Sequence, residues 1–324
     1  MLIKELTDTQ RLDTAVEFIS VTKTFRRSGR KRKETVNALD NISFTVKKGE
    51  FTAYAGPNGA GKSTTMKLIS GILLPTSGKI SVFGLSPEKD RIKLMKRIGV
   101  LFGNRTELWG DHPVRQSFEW KKAVWDIPEK EYKKNLDMAI ELLALGPILG
   151  TFARELSLGQ RMRADIAMLL LHSPELILLD EPTLGLDVTA KRQMIEFLKT
   201  ANRENGITVI VTSHDMDDLE EMAKRIIMIS DGKIAYDGSF DGLRNLSGDT
   251  SRLILTADKN TAAPNLPCRL IKSQDGIFEY EVNTDTLPAN ELLKKISDLE
   301  NIKGIEIKKS PIEQVIDTLY KSWT

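Results

Sequence analysis

Short apolar runs alternate with 3.6-periodic stretches along this chain, and the alternation predicts an α/β protein. From Ala15 to Tyr54 the apolar residues fall in the β-rich runs VEFISVTKTF, NISFTV and EFTAYAG, with Lys47-Lys48-Gly49 reading as a turn. Thr64 to Ile72 has helical character, and SGKISVFG returns to a strand ending at Gly84. Between Pro87 and Gly150, segments such as PEKEYKKNLDMAIELLALG predict a helical subdomain. Strands resume at ELILLD and ITVIVTSH, on either side of the helical AKRQMIEFLKTANRE. Unbroken apolar runs of this kind belong to parallel sheets covered by helices on both faces.

Beyond Gly238 the pattern changes. SRLILTAD, CRLIKS, IFEYEVN and KGIEIKK read as strands, and ANELLKKISDLE and PIEQVIDTLYKSW as helices, which predicts a small α+β appendage. The turn-rich stretch from Asn245 to Thr250 is the expected linker, so the domains are taken as 1–245, with a helical subdomain at about 87–165, and 246–324. A chain of 324 residues is also longer than a single core usually grows.

Charge changes this picture only locally. Lys and Arg number 47 against 45 Asp and Glu, a net charge of +2, so any affinity for nucleic acid or acidic lipid has to come from a patch. One exists in RRSGRKRK, Arg26 to Lys33. The lone Cys268 excludes an internal disulfide and fits a reducing compartment. The segment MLIKELTDTQRLD is too charged for a secretory signal, and no window approaches the roughly 20 apolar residues of a membrane span. The expectation is a soluble chain that works at a membrane only through another polypeptide.

GPNGAGKST stands between a strand and a helix and matches the G-x-x-x-x-G-K-[ST] phosphate loop. Gly56, Gly59 and Gly61 let the backbone wrap phosphates with its N–H groups inward, and Pro57, Asn58 and Ala60 complete the wrap. Lys62 supplies a cation for the terminal phosphates, Ser63 a hydroxyl for Mg²⁺, and Thr64 a contact to the first phosphate. The apolar run Leu176 to Leu179 ends in Asp180-Glu181, and two acids closing a buried strand are costly unless a metal and its substrate sit there. Asp180 is expected in the metal's shell, and Glu181 as the general base that polarises the attacking water. His214 closes the next strand, where it either contacts the terminal phosphate or is simply a satisfied histidine. His112 and His172 have no such context. LSLGQ, opening a helix after Leu156, offers a second anion site at the tip of that helix.

Together these pieces resemble the ATP-binding cassette family, the nucleotide-binding subunits of ABC transporters. GPNGAGKST is similar to its phosphate loop, LILLDEPT to its acidic strand, LGLD to its D-loop, Ser213-His214 to its histidine switch, and LSLGQ to its signature motif. The resemblance covers about Val16 to Gly238. It implies a P-loop NTPase core with a mixed sheet, an ATPase activity with ATP and Mg²⁺, and a dimer of cassettes, homo- or heteromeric. In such a dimer the signature residues Ser157, Gly159 and Gln160 face the γ-phosphate held by the opposite subunit. It further implies that Asp187 reads the opposite site, with N-capping of the next helix as a rival role. Phe25 is the implied adenine stack, with a core phenylalanine as the alternative.

Two positions depart from the family pattern. Leu158 stands where the signature usually has a glycine, and Asn104 stands where the family has the Q-loop glutamine that ligates Mg²⁺ and water. Asparagine offers the same amide on a shorter arm. The VLFGNRTELWGDHPV region resembles that of an export-type subgroup, which implies a peripheral position on the inner face of the cell membrane beside an integral-membrane permease. Trp109, Trp120 and Trp125 make the helical subdomain and the Asn104 to Trp120 region, the expected contact with the permease, aromatic, as a docking surface or a subdomain core would be. The basic run is either a solvated loop or a contact for anionic lipid headgroups; nucleic acid is disfavoured because no aromatic interleaves with it. Competing readings are a soluble cassette ATPase acting on nucleic acid or ribosomes, and an importer ATPase with a regulatory C-terminal domain.

Overall fold

The structure is a computed structural model, and it describes residues 13–28, 33–103, 105–246, 250–259, 261–283, 287, 289–297, 299, 301–309, 312, 315, 316 and 319. The chain divides into two compact units, Met1–Asp237 and Gly238–Thr324, a few residues ahead of the stretch read as a linker.

The first unit is built on a six-stranded sheet in the order β5-β6-β7-β3-β8-β9. Its strands are β3 (Phe51–Ala55), β5 (Ile98–Phe102), β6 (Leu176–Asp180), β7 (Thr208–Thr212), β8 (Arg225–Ser230) and β9 (Lys233–Ser239). β5, β6, β7, β3 and β8 pair in parallel. β3 and β7 are buried at every position, as the apolar runs require of a sheet covered on both faces. β9 turns back from β8 through Asp231-Gly232, both at positive φ, and so makes the sheet mixed.

A three-stranded antiparallel sheet, β1 (Thr14–Ser28), β2 (Lys33–Lys47) and β4 (Ser77–Val82), is ordered β2-β1-β4. Phe18 stacks on Phe44 at 4.6 Å, and Phe44 lies 5.9 Å from Tyr54 of β3, so one apolar core joins the two sheets.

Helices α1 (Lys62–Ile69), α2 (Arg91–Met95), α3 (Val114–Val124), α4 (Glu129–Leu142), α5 (Leu158–Leu170), α6 (Val188–Asn205) and α7 (Met216–Met222) complete this unit. The stretch 87–165, read as helical throughout, contains β5. RIGVLF follows directly on the charged RIKLMK and is broken by a glycine, so it does not stand out, and that glycine is there for packing: a Cβ on Gly99 would lie 2.2 Å from Leu169 Cδ2, so α5 lies directly on β5 at that point. Arg97 donates to both carboxylate oxygens of Glu175, at 2.5 and 2.8 Å, and pins the start of β5 to the start of β6.

The second unit opens with α8 (Phe240–Asn245), capped by the Ser239 hydroxyl. Its antiparallel sheet, β11-β12-β10-β13, comprises β10 (Thr250–Ala257), β11 (Arg269–Gln274), β12 (Ile277–Asn283) and β13 (Ile302–Lys309). Leu253, Leu255, Phe278, Tyr280 and Val282 form its core with Leu292 and Ile296 of α9 (Ala289–Ser297). Most of the helix read at PIEQVIDTLYKSW falls outside the described residues.

Candidate nucleotide site

In an open parallel sheet, ligands bind beyond the carboxyl ends of the strands. β3, β6 and β7 all end on that edge, and each delivers chemistry there. From β3 the chain enters the phosphate loop. A Cβ on Gly56 would lie 2.3 Å from the Ile229 carbonyl oxygen, so no side chain fits. Gly61, at φ 117, is barred to other residues both by its backbone and by the Ala38 carbonyl, 2.6 Å from where its Cβ would be. Gly61 is also the N-cap of α1 and makes no side-chain cap bond, which leaves the first amides of the helix open to an anion. Ala60 is buried and Gly56 half-buried, whereas Pro57, Asn58 and Gly59 are exposed around the mouth.

Lys62 is 7% exposed, and its Nζ donates to the carbonyls of Gly56 (2.6 Å) and Pro57 (3.2 Å). Burial pushes this ammonium below the usual lysine range, against the pull of Glu181 and then Asp180. The lysine thus props the loop open on the two carbonyls it bonds. Thr64 follows, half-buried in the first turn of the helix.

β6 and β7 bring the acids. Ser63 Oγ donates to Asp180 Oδ2 at 2.8 Å, and Thr212 Oγ1 donates to Asp180 Oδ1 at 2.7 Å. The Glu181 amide donates to both the carbonyl and the hydroxyl of Thr212, each at 3.1 Å. Glu181 has φ 59, a left-handed conformation that costs about 1–3 kcal/mol in a non-glycine residue and persists only where neighbours impose it. Its Oε1 lies 2.7 Å from Nε2 of His214, whose ring is half-exposed at the mouth.

A hydroxyl beside a carboxylate is a hard-oxygen set suited to Mg²⁺. The described residues hold no cluster of three or more His, Cys, Asp or Glu, and a Mg²⁺ ion that arrives with phosphates needs only one or two carboxylates. Ser63 and Asp180 therefore fit the ion, and the loop fits a polyphosphate.

The signature residues lie at the tip of α5. Ser157 Oγ accepts from the Gln160 amide at 3.3 Å, and Gln160 Oε1 accepts from the Ser157 amide at 2.9 Å, a complete capping box. Leu158 is 41% exposed, and its Cδ2 occupies the space where a Cβ on Gly185 would come within 2.7 Å. The bulk that replaces the usual glycine thus packs over the Leu184-Gly185 turn. A Cβ on Gly159 would lie 3.4 Å from Ala190 Cβ. Asp187 Oδ1 accepts from the Ala190 amide at 2.8 Å, so Asp187 caps α6.

Two polar residues that sequence reasoning passed over stand out. Thr212 ties Asp180 to Glu181. Asp165 of α5 is buried and accepts from Thr106 Oγ1 (2.8 Å) and the Glu107 amide (3.1 Å); burial raises its carboxyl to about 6. The available signals were an acid inside the apolar run ADIAMLLL and a hydroxyl closing TVIVTSH.

Other expected positions scatter. Phe25 is 38% exposed on the β1–β2 ribbon, with Lys23 Nζ 5.2 Å from its ring centroid, and so is not a core residue. Asn104 lies outside the described residues, as do 29–32 of the basic run. Trp109 and Trp120 are 40% and 37% exposed and pack against each other at 5.0 Å, which corrects the reading of them as subdomain core. Trp125 packs on His172 at 4.4 Å. Burial lowers that imidazole to about 4, and its Nε2 lies 3.1 Å from the Ile98 carbonyl.

A phosphate loop, a strand-end acid pair and a histidine converging at one sheet edge define a P-loop nucleotide hydrolase. Comparison with known proteins narrows the class. The family profile described as ABC transporter matches residues 39–184. The ABC transporter ATP-binding protein NatA of Bacillus subtilis is 32% identical over 212 residues, 65% of this chain and 86% of that protein. The methionine import ATP-binding protein MetN of Corynebacterium diphtheriae is 34% identical over 231 residues, 70% of this chain and 66% of that one. The bacitracin transport ATP-binding protein BcrA of Bacillus licheniformis is 30% identical, covering 76% and 78%. Among solved structures, the dimeric post-hydrolysis ATP-binding cassette MJ0796 bound to ADP and Pi superposes with a TM-score of 0.61 at 29% identity, over 69% of this chain and 98% of that one.

The chain belongs to the ABC transporter family as an ATP-binding protein, and it is an ATPase. Homologous cassettes form dimers. The relatives include a methionine import protein, so similarity does not divide exporters from importers. Among the described residues no helix is long and apolar enough to cross a membrane.

Proposed function

We propose that two cassettes, of which this chain is at least one, close around two ATP molecules and drive a separate integral-membrane permease. The observation that carries this reading is the division of the anion-binding groups. Lys62, Ser63, Asp180, Glu181 and His214 converge at one sheet edge, while Ser157 sits exposed at another helix tip with only its own capping box for company. One set cradles a nucleotide, and the other is presented outward for a partner's nucleotide.

In this reading the loop amides from Gly56 to Thr64 wrap the phosphates, and Lys62 transfers its ammonium from the Gly56 and Pro57 carbonyls to the terminal phosphates. Ser63 and Asp180 would hold Mg²⁺, which would supply charge neutralisation at the phosphates. Glu181 accepts the proton of the water that attacks the γ-phosphorus, the bond to ADP breaks, and His214 orients the water through its contact with Glu181. Phe25, exposed beside the basic run, is free to stack adenine. Ser157, Gly159 and Gln160 of the opposite cassette meet the γ-phosphate, so hydrolysis removes the group both subunits share and the dimer opens.

Export is the favoured direction, on the likeness of the Asn104 to Trp120 region to export-type cassettes. Asn104 is assigned to the metal and water shell in place of glutamine. The exposed Trp109–Trp120 pair is the proposed permease contact, since paired surface aromatics are typical anchors of interfaces. The subunit then lies on the inner face of the membrane, with Arg26 and the basic residues after it available to anionic headgroups.

The deciding experiment uses Glu181→Gln. With ATP and Mg²⁺ this variant should elute as a dimer in size-exclusion chromatography and as a monomer without nucleotide; a monomer under both conditions removes the sandwich reading. Co-purification from membranes with an integral protein, lost in a Trp109→Ala/Trp120→Ala variant, tests the docking assignment separately.

A further inference from the structure

Thr212 is fully buried at the end of β7, paired in parallel register with Asp180 of β6. Its strand neighbours Val209, Ile210 and Val211 are apolar, and packing alone would accept valine there. A buried threonine in this sheet does not need a bonded hydroxyl, for Thr52 Oγ1 of β3 is buried without a partner. At Thr212 the hydroxyl is instead used in both directions. Its single proton goes to Asp180 Oδ1 at 2.7 Å, and a lone pair takes the Glu181 amide at 3.1 Å.

The direction of these bonds is fixed by chemistry. An ionised carboxylate can only accept, so Asp180 claims the hydroxyl proton and leaves the oxygen free for the amide. That amide belongs to a residue at φ 59, and it also reaches the Thr212 carbonyl, so the amide side of the left-handed turn at Glu181 is held from Thr212, while its carbonyl accepts from the Leu184 amide at 3.3 Å. Asp180 has its other oxygen on Ser63 Oγ at 2.8 Å. The carboxylate is thereby gripped from both sides, by the phosphate loop and by β7.

We propose that Thr212 is a positioning residue for hydrolysis: its hydroxyl couples the Asp180 carboxylate to the Glu181 backbone so that the metal-side and water-side acids keep one geometry. The proposal rests on Asp180 serving Mg²⁺, as assigned under Proposed function. Without the hydroxyl, Asp180 Oδ1 loses its donor and can rotate. The Glu181 amide keeps only the Thr212 carbonyl as its partner, and the Glu181 Oε1 drifts from His214.

The test compares Thr212→Val, which removes the hydroxyl at constant shape, with Thr212→Ser, which keeps it. Hydrolysis is titrated with Mg²⁺, and binding of a non-hydrolysable ATP analogue is measured in EDTA and in Mg²⁺. The valine variant should need about tenfold more Mg²⁺ for half-maximal rate and lose about ten- to hundredfold in kcat, the scale of a hydrogen bond to a charged group. Its analogue affinity in EDTA should stay within about twofold of wild type while the gain from Mg²⁺ shrinks. The serine variant should remain within about threefold of wild type throughout. A valine variant with wild-type Mg²⁺ dependence and kcat, or a serine variant as impaired as valine, overturns the proposal. Asp180→Asn run in parallel separates the two readings. If it leaves the Mg²⁺ dependence unchanged, the metal assignment fails; if it shifts the dependence and Thr212→Val does not, only the role of Thr212 fails. Should the valine variant not fold, Thr212→Cys, a weaker donor in the same place, carries the same outcomes.

Discussion

Lys62 and Ser157 are both assigned to phosphate in the proposed sandwich, yet the chain treats them in opposite ways. Lys62 is buried, bonded to two loop carbonyls and faced by two acids whose own positions are set by Ser63 and Thr212. Ser157 is exposed, and its hydroxyl bonds only the Gln160 amide on its own helix. The first half of the site is over-determined inside one chain, so its electrostatics are in place before nucleotide arrives. The second is a surface whose preorganisation stops at a helix cap. On the proposed reading, ATP binding is a property of the single subunit, and closure is a property of what the nucleotide still offers to a neighbour.

The largest effect should come from breaking the first half. Removing a general base typically costs 10² to 10⁴ in rate, so Glu181→Gln should lower kcat by about that factor in a phosphate-release assay while leaving nucleotide affinity near wild type. Lys62→Ala acts on the same half but on binding. Losing the one buried ammonium at the loop should weaken ATP affinity by about a hundredfold, measured by fluorescent-nucleotide titration, since a charge-assisted contact in a water-poor site is among the strongest single terms. If Lys62→Ala instead keeps its affinity and loses only dimerisation, the proposed division of labour is wrong.

The two halves also differ in how legible they were. Gly56, Gly61, Lys62 and Ser63 are spelled out because a phosphate loop is contiguous: the bonds of Lys62 to Gly56 and Pro57 lie within the motif, and its spacing is recognisable even though Ile229 and Ala38, far along the chain, press on its glycines. Strands β3, β6 and β7 were readable as apolar runs for the same reason. What spacing cannot express is a bond across the sheet. Thr212 and Asp180 are 32 positions apart, and Thr106 and Asp165 are 59 apart, so their partnerships exist only in the folded register. β5 was hidden by the charged, helix-like sequence ahead of it and by Gly99, which is there for the helix lying on it rather than for the strand. The signature tip was visible as a capping sequence, but its partner belongs to another subunit.

Asp165 sharpens the comparison from the other side, because it anchors the second half. It lies on α5, the helix that Ser157 caps, and holds Thr106 and Glu107, just beyond Asn104. Its carboxyl titrates near 6 in the folded protein against 3.8 unfolded, since burial disfavours the charge more than its two donors favour it. The folded state then binds more protons between those values, so the group's stabilising contribution is complete below pH 3.8 and is lost as pH rises through 6. By linkage the difference reaches about 3 kcal/mol at neutral pH. Denaturant unfolding of Asp165→Asn and wild type between pH 4 and 7.5 should show the wild type losing that amount relative to the variant. Asparagine keeps an oxygen for Thr106 and Glu107, so identical pH profiles would mean Asp165 is ionised throughout.

Ser157→Ala is the mildest change and tests the second half directly. The capping bond from the Gln160 amide disappears, which costs about 1 kcal/mol and should lower the melting temperature by only a few degrees. The Ser157 amide remains paired with Gln160 Oε1, so the helix tip keeps its shape. None of the residues around Lys62 is touched, and ATP affinity of the monomer should match wild type. Nucleotide-driven dimerisation in the Glu181→Gln background should nevertheless weaken by about tenfold in sedimentation velocity, because a hydroxyl that would meet the neighbour's phosphate is gone. If both the monomer's affinity and the dimer's stability are unchanged, the exposed serine is only a helix cap, and the phosphate loop faces a partner whose contact lies elsewhere.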